Sequence, residues 1–184
     1  MKLNRRMQRH LGELRSRSID AEPLLPGKWP DLTVAEVNGF VLLESFRRKP
    51  SLRPADFDGP SALEACANKL LMEKMLDPRL VAACPLLLLT AGLLMAEAVS
   101  RKLAALPGRF NVIVSYDGES CAVRFHKIRQ GERWLSEDLE AYVDEGVLVV
   151  EAGPGLTPFA QLAAATGSYS VSRRARRDRR VSQG

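Results

Sequence analysis

Residues 109–128, RFNVIVSYDGESCAVRFHKI, set two runs rich in β-branched and aromatic side chains on either side of Asp117-Gly118. Such side chains suit the pleated, half-buried surface of a strand, and Asp-Gly is favoured by two-residue type I′ turns. Taking those two residues as the turn predicts Tyr116 opposite Glu119, Val114 opposite Cys121, Val112 opposite Val123 and Phe110 opposite Phe125. The alternate pairs, Ser115 with Ser120 and Asn111 with Arg124, are polar, and only Ile113 with Ala122 departs from the pattern. Turn chemistry and alternation therefore agree on an antiparallel hairpin with one apolar face.

Upstream of the hairpin the signals are helical. Thr33 and Glu36 have capping-box spacing, and Val34, Val37 and Val41 with Phe40 and Leu43 supply an apolar face, so a helix is predicted over 31–49, stopped by Pro50. Ser61-Ala62-Leu63-Glu64 reads as a second capping box, opening a helix with Leu63, Cys66, Ala67, Leu70 and Leu71 on its stripe. Asp77-Pro78 ends that helix and starts another, Asp as N-cap and Pro in the first turn, running to about Leu106 with a bend at Pro85. From Leu80 to Ala96 there are 17 residues without a charge, but Pro85 and Gly92 interrupt them, and a central core helix is the better reading than a membrane span. Downstream, Ser136 caps a predicted short helix over 136–142, and residues 147–151 form a third strand buried on both faces. At the N-terminus Leu3, Met7, Leu11 and Leu14 lie on one stripe of an amphipathic helix that docks on the domain.

The expectation is an α+β fold: a layer of three to four helices packed on an antiparallel sheet of about three strands. A basic amphipathic segment (1–20) precedes a single domain (31–155, helices over 31–108 and sheet over 109–151). One more helical turn over 160–165 and a disordered arginine-rich tail over 167–184 follow.

Charge is distributed unevenly. Residues 1–20 carry six bases and two acids, residues 173–184 carry six arginines and one acid, and the middle holds 15 bases against 19 acids. A mildly acidic body thus lies between two basic ends. Cys66, Cys84 and Cys121 form no CxxC pair and sit in apolar surroundings, which predicts reduced, buried thiols and a cytoplasmic protein. The basic start is not followed by an apolar stretch of secretory type.

The search for chemistry yields little. The two histidines, His10 and His126, have no metal-ligand spacing with the cysteines, and alternation points His126 away from Cys121 and Phe125, as a surface or sheet-edge residue. Gly153-Pro154-Gly155 lacks the residues of a phosphate loop and reads as a turn. No cofactor, metal or catalytic residue is expected. The one concentrated feature is acidic: between residues 132 and 151 stand Glu132, Glu137, Asp138, Glu140, Asp144, Glu145 and Glu151 against a single base, Arg133. Glu132, Trp134, Glu137, Asp138, Glu140 and Tyr142 are the candidate docking residues for a basic protein, carboxylates giving complementarity and the rings giving anchors. This predicts a non-enzymatic interaction module of immunity, inhibitor or chaperone type. The alternative is a nucleic-acid-associated protein using the N-terminal helix and Arg173, Arg174, Arg176, Arg177, Arg179 and Arg180, whose charges neutralise phosphates without sequence preference. A second alternative is an enzyme with a carboxylate-based site.

Overall fold

The computed structural model describes residues 1–17, 19, 29–46 and 53–156. In chain order its elements are β1 (Lys2–Leu3), α1 (Arg5–Ser16), β2 (Val34–Val37), β3 (Phe40–Leu43), α2 (Pro60–Ala67), β4 (Leu70–Leu71), α3 (Pro78–Ala83), α4 (Leu86–Leu103), β5 (Phe110–Tyr116), β6 (Cys121–Lys127) and β7 (Gly146–Ala152). A five-stranded antiparallel sheet runs β1–β7–β5–β6–β4, and β2–β3 form a separate antiparallel pair. This is mixed helix and antiparallel sheet, but the main sheet has five strands where the sequence predicts about three. The extra strands are the two-residue edges β1 and β4, too short for any periodicity to register.

α4 is the central helix that its composition predicts. Leu88, Leu89, Met95, Ala96, Val99 and Leu103 are buried in one core with Val112, Val114, Val123, Phe125, Leu148 and Val150 from a single face of the sheet. Asp77 caps α3 by accepting from the Arg79 N–H, with Pro78 in the first turn. The apolar run is broken rather than bent: α3 ends before Cys84-Pro85, and α4 ends at Leu103 instead of Leu106. Among the described residues no helix is long and apolar enough to cross a membrane. α1 turns Met7, Leu11 and Leu14 inward.

Three sequence expectations are corrected. Residues 34–43 form a hairpin, not a helix, because Asn38 and Gly39 adopt φ of 51° and 80°, the left-handed pair a type I′ turn requires. The 109–128 hairpin closes through four residues, not two. Tyr116 pairs with Cys121, Val114 with Val123 and Val112 with Phe125. The Asp117 carboxylate accepts from the N–H groups of Glu119 and Ser120 and from the Ser120 hydroxyl, pulling both into the loop. A slip of two residues keeps every side chain on its predicted face. Finally, α2 stops at Ala67 and its capping box does not form. Gly59 occupies the N-cap without a side-chain bond, and Glu132, far along the chain, accepts from the Ser61 N–H instead.

Glu64 is thereby released for another task. Its carboxylate accepts from the N–H groups of Val41 and Lys127 and pairs with Arg129, at zero exposure. One helical turn later, the Asn68 side chain accepts from Leu43 N–H and donates to the carbonyls of Val41 and Phe125. Two side chains, one in α2 and one at its C-cap, stand in for a neighbouring strand along β3. The expected turn at 160–165 and tail at 167–184 lie outside the described residues.

Candidate functional site

Residues 128–145 connect β6 to β7 and cross the sheet face that α4 leaves open. We call this segment the strap. Ile113, Leu139 and Val147 are buried beneath it, with Trp134, Leu135, Tyr142 and Val149 packed around them as a second, smaller core. The predicted 136–142 helix is only a 3-10 turn over Leu139–Ala141, capped by Asp138 rather than Ser136: the Asp138 carboxylate accepts from Glu140 N–H. Too few residues follow before the next strand for an α-helix to recover the cost of its first turn.

The strap is tied at several points to the N-terminus. Asn4 donates to the carbonyls of Tyr142 and Glu145, Arg6 donates to the Val143 carbonyl, and the Arg5 N–H reaches Glu140. Tyr142 Oη accepts from Ser136 N–H within the strap.

The six proposed docking residues are therefore strung along the strap and differ in what they face. Glu132 is bound to the start of α2, and Glu140 to the start of α1. Burial of Glu132 works against its charge, yet the bonds from Ser61 and the nearby Arg129 and His126 hold its carboxyl below the usual range. Asp138 is occupied as a cap. Trp134 and Tyr142 turn partly inward. Glu137 faces solvent, paired 3.1 Å from Arg133 with both side chains over 70% exposed, an arrangement of small energetic weight. Beside them Val143 is 69% exposed, the most exposed large apolar residue described, followed by exposed Asp144.

Beside this small apolar core the covered sheet face also carries polar side chains. Ser115 and Arg124 project from β5 and β6, with Asn111 and His126 on the same face. Arg124 Nη1 donates to Ser115 Oγ at 3.1 Å, and its ζ-carbon lies 5.7 Å from the Trp134 ring centroid. His126 is only 4% exposed, not the surface residue expected; its ring lies 6.2 Å from that of Trp134. Burial pulls the His126 imidazole below its ordinary value, and burial likewise pulls Arg124 down, with Glu145 opposing. A cavity of about 170 Å³ opens here, lined by Arg124, Ser115, Trp134, Tyr142 and Glu145 among others. A second, of about 300 Å³, lies further along the strap between Met1, Ile128, Ser136 and Glu151.

Sequence reading missed Arg124, Ser115 and Glu145 as a group. The available signal was the polar positions of both strands falling on the face opposite the apolar one. Cys66 is exposed and Cys84 half-buried, so only Cys121 has the buried thiol expected, its ionisation opposed by burial. Among the described residues no three of His, Cys, Asp and Glu could hold a metal ion.

The family model described as Uncharacterized protein PM0498 family matches residues 2–171, a span that takes in every element from β1 to β7. Searches of curated proteins and of solved structures each found no match.

Proposed function

We propose a non-catalytic binding role for this chain, which belongs to the PM0498 family: it docks a basic protein, in the manner of an inhibitor or chaperone, on the outer face of the strap. The observation carrying this is Val143, 69% exposed on a segment otherwise fixed by side-chain bonds, a segment that also carries the exposed carboxylates Glu137, Glu140 and Asp144. A pre-ordered loop loses little entropy on binding, and an exposed apolar residue on an acid-rich segment suits a partner with an apolar contact inside a basic surface. The six residues predicted from sequence divide accordingly. Glu137 and Glu140 belong to the docking face, whereas Glu132, Asp138, Trp134 and Tyr142 support it.

The test is co-purification at low salt, followed by titration of the recovered partner. Val143→Asp, and separately Glu137→Lys with Asp144→Lys, should each weaken binding tenfold or more, the charge reversal more at low salt than at high. Recovery of no basic protein, or an affinity in both variants equal to that of the unaltered chain, would remove the reading.

A second reading keeps one observation of its own. Arg5, Arg9, Arg15 and Arg17 are exposed on or beside α1, away from its buried stripe. With Arg173, Arg174, Arg176, Arg177, Arg179 and Arg180, which lie outside the described residues, they would give salt-sensitive nucleic-acid binding. Retention on heparin that is unchanged by Arg9→Glu with Arg15→Glu and by deletion of 167–184 would exclude it.

A further inference from the structure

We propose that the cavity between strap and sheet binds a small zwitterionic carboxylate of the amino-acid class, with Arg124 holding its carboxylate. Two half-buried arginines that flank the strap, Arg129 and Arg124, are engaged differently. Arg129 is engaged by both oxygens of Glu64, at 2.6 and 3.0 Å. Arg124, half-buried, makes one side-chain hydrogen bond, to a neutral hydroxyl, and among the described residues no carboxylate stands within 4 Å of it. A guanidinium has five N–H donors, and a cation sheltered from water is stabilised by a paired anion. The donors left over form a planar fork, which a carboxylate accepts in two parallel bonds.

The walls define the remainder of the ligand. Trp134 and Tyr142 on one side and Ile113 on the other are apolar surfaces, and Glu145 is the one carboxylate among the lining residues. A volume near 170 Å³ slightly exceeds the engineered cavity of about 150 Å³ that admits benzene, so a body of roughly six to ten non-hydrogen atoms fits. Inorganic phosphate matches this less well. It has no apolar part for the rings, and its second charge would approach Glu145. An amino acid offers its carboxylate to Arg124, its side chain to the rings and its ammonium to Glu145.

The experiment uses the full chain with Trp29→Phe, leaving Trp134 as the only indole. Probes are apolar L-amino acids, the corresponding carboxylic acids without the amine, the corresponding amines without the carboxylate, and sodium phosphate. Emission and thermal midpoint should both respond to amino acids, more weakly to the acids, and not to the amines or phosphate. Arg124→Lys should weaken binding about tenfold, since it loses the fork while keeping the charge. Glu145→Gln, which leaves the backbone bond to Asn4 intact, should reduce the preference of amino acid over plain acid by a similar factor. A response to phosphate or amine equal to that of the amino acid would overturn the assignment, as would no response to any probe below 10 mM. So would a Glu145→Gln protein with unaltered preference.

Discussion

At Asn4 a single side chain closes the N-terminus onto the strap. Its oxygen accepts from Met7 N–H and Val147 N–H, and its nitrogen donates to the carbonyls of Tyr142 and Glu145, all within 3.2 Å. Aspartate is ordinarily as good an N-cap as asparagine. Here Asn4→Asp would aim a charge at two carbonyl oxygens while removing the donors they use. We expect it to destabilise by about 2–4 kcal/mol despite near-identical shape, read as a lower urea midpoint with unchanged slope. Asn4→Ser, small and uncharged, should cost less. Gly92 makes a different kind of point. A Cβ there would collide with Cys121 Sγ, so the thiol occupies the notch that the missing side chain leaves in α4. Gly92→Ala should destabilise by about 1–3 kcal/mol through overpacking, although alanine favours helix. Adding Cys121→Ala should recover part of that loss in a double-mutant cycle, because the two changes share one space.

The hairpin β2–β3 shows where the sequence was legible and where it was not. Val34, Val37 and Val41 fit a helical stripe as well as they fit two short strands, and Thr33 with Glu36 imitated a capping box. Asn38-Gly39 carried the deciding information, the same turn logic that correctly marked the later hairpin. A four-residue strand cannot outweigh a plausible helix pattern by periodicity alone. Faces survived better than registers: the alternation that assigned Phe110, Val112 and Val114 to the core held even though the Asp117 side chain moved the pairing by two. The site was half visible, in that the acids of the strap were conspicuous. Their use as caps and ties depends on Ser61 and Arg5, 71 and 135 residues distant, which no local pattern reports. The strand-like role of α2 was equally hidden, and it can be tested as an element. Asn68→Leu leaves Leu43 N–H without its acceptor, so amide exchange at Leu43 should accelerate by tenfold or more while amides of β5, deep in the sheet, keep their protection relative to global stability. Equal acceleration in both would mean that β3 opens only with the whole molecule.

For the molecule as a whole, the histidines and carboxylates give two separable acid transitions. Burial lowers the folded-state values of His10 and His126 from the ordinary 6.5. Just below that pH the unfolded chain binds protons that the folded chain refuses, so folding stability falls as pH drops through 6.5 and stops falling once the depressed values are passed. His126, almost fully enclosed beside Trp134, should contribute most, and His10, whose Nε2 is buried without a partner among the described residues, adds to it. Asp117 and Glu132 act in the same direction at lower pH. Their folded-state values lie below the ordinary 3.8 and 4.5, so the stability they contribute is complete above those values and disappears as pH falls through the depressed ones. Thermal midpoints from pH 8 to 3 should therefore decline in two stages, the first beginning near 6.5 and the second below about 4.5. His126→Gln, which cannot be protonated, should flatten the first stage and leave the second. Asp117→Asn should do the reverse, since it deletes the carboxylate that gathers the Glu119 and Ser120 amides into the loop between β5 and β6. A first stage that persists undiminished in a His126→Gln, His10→Gln double variant would show that the near-neutral transition belongs to some other group.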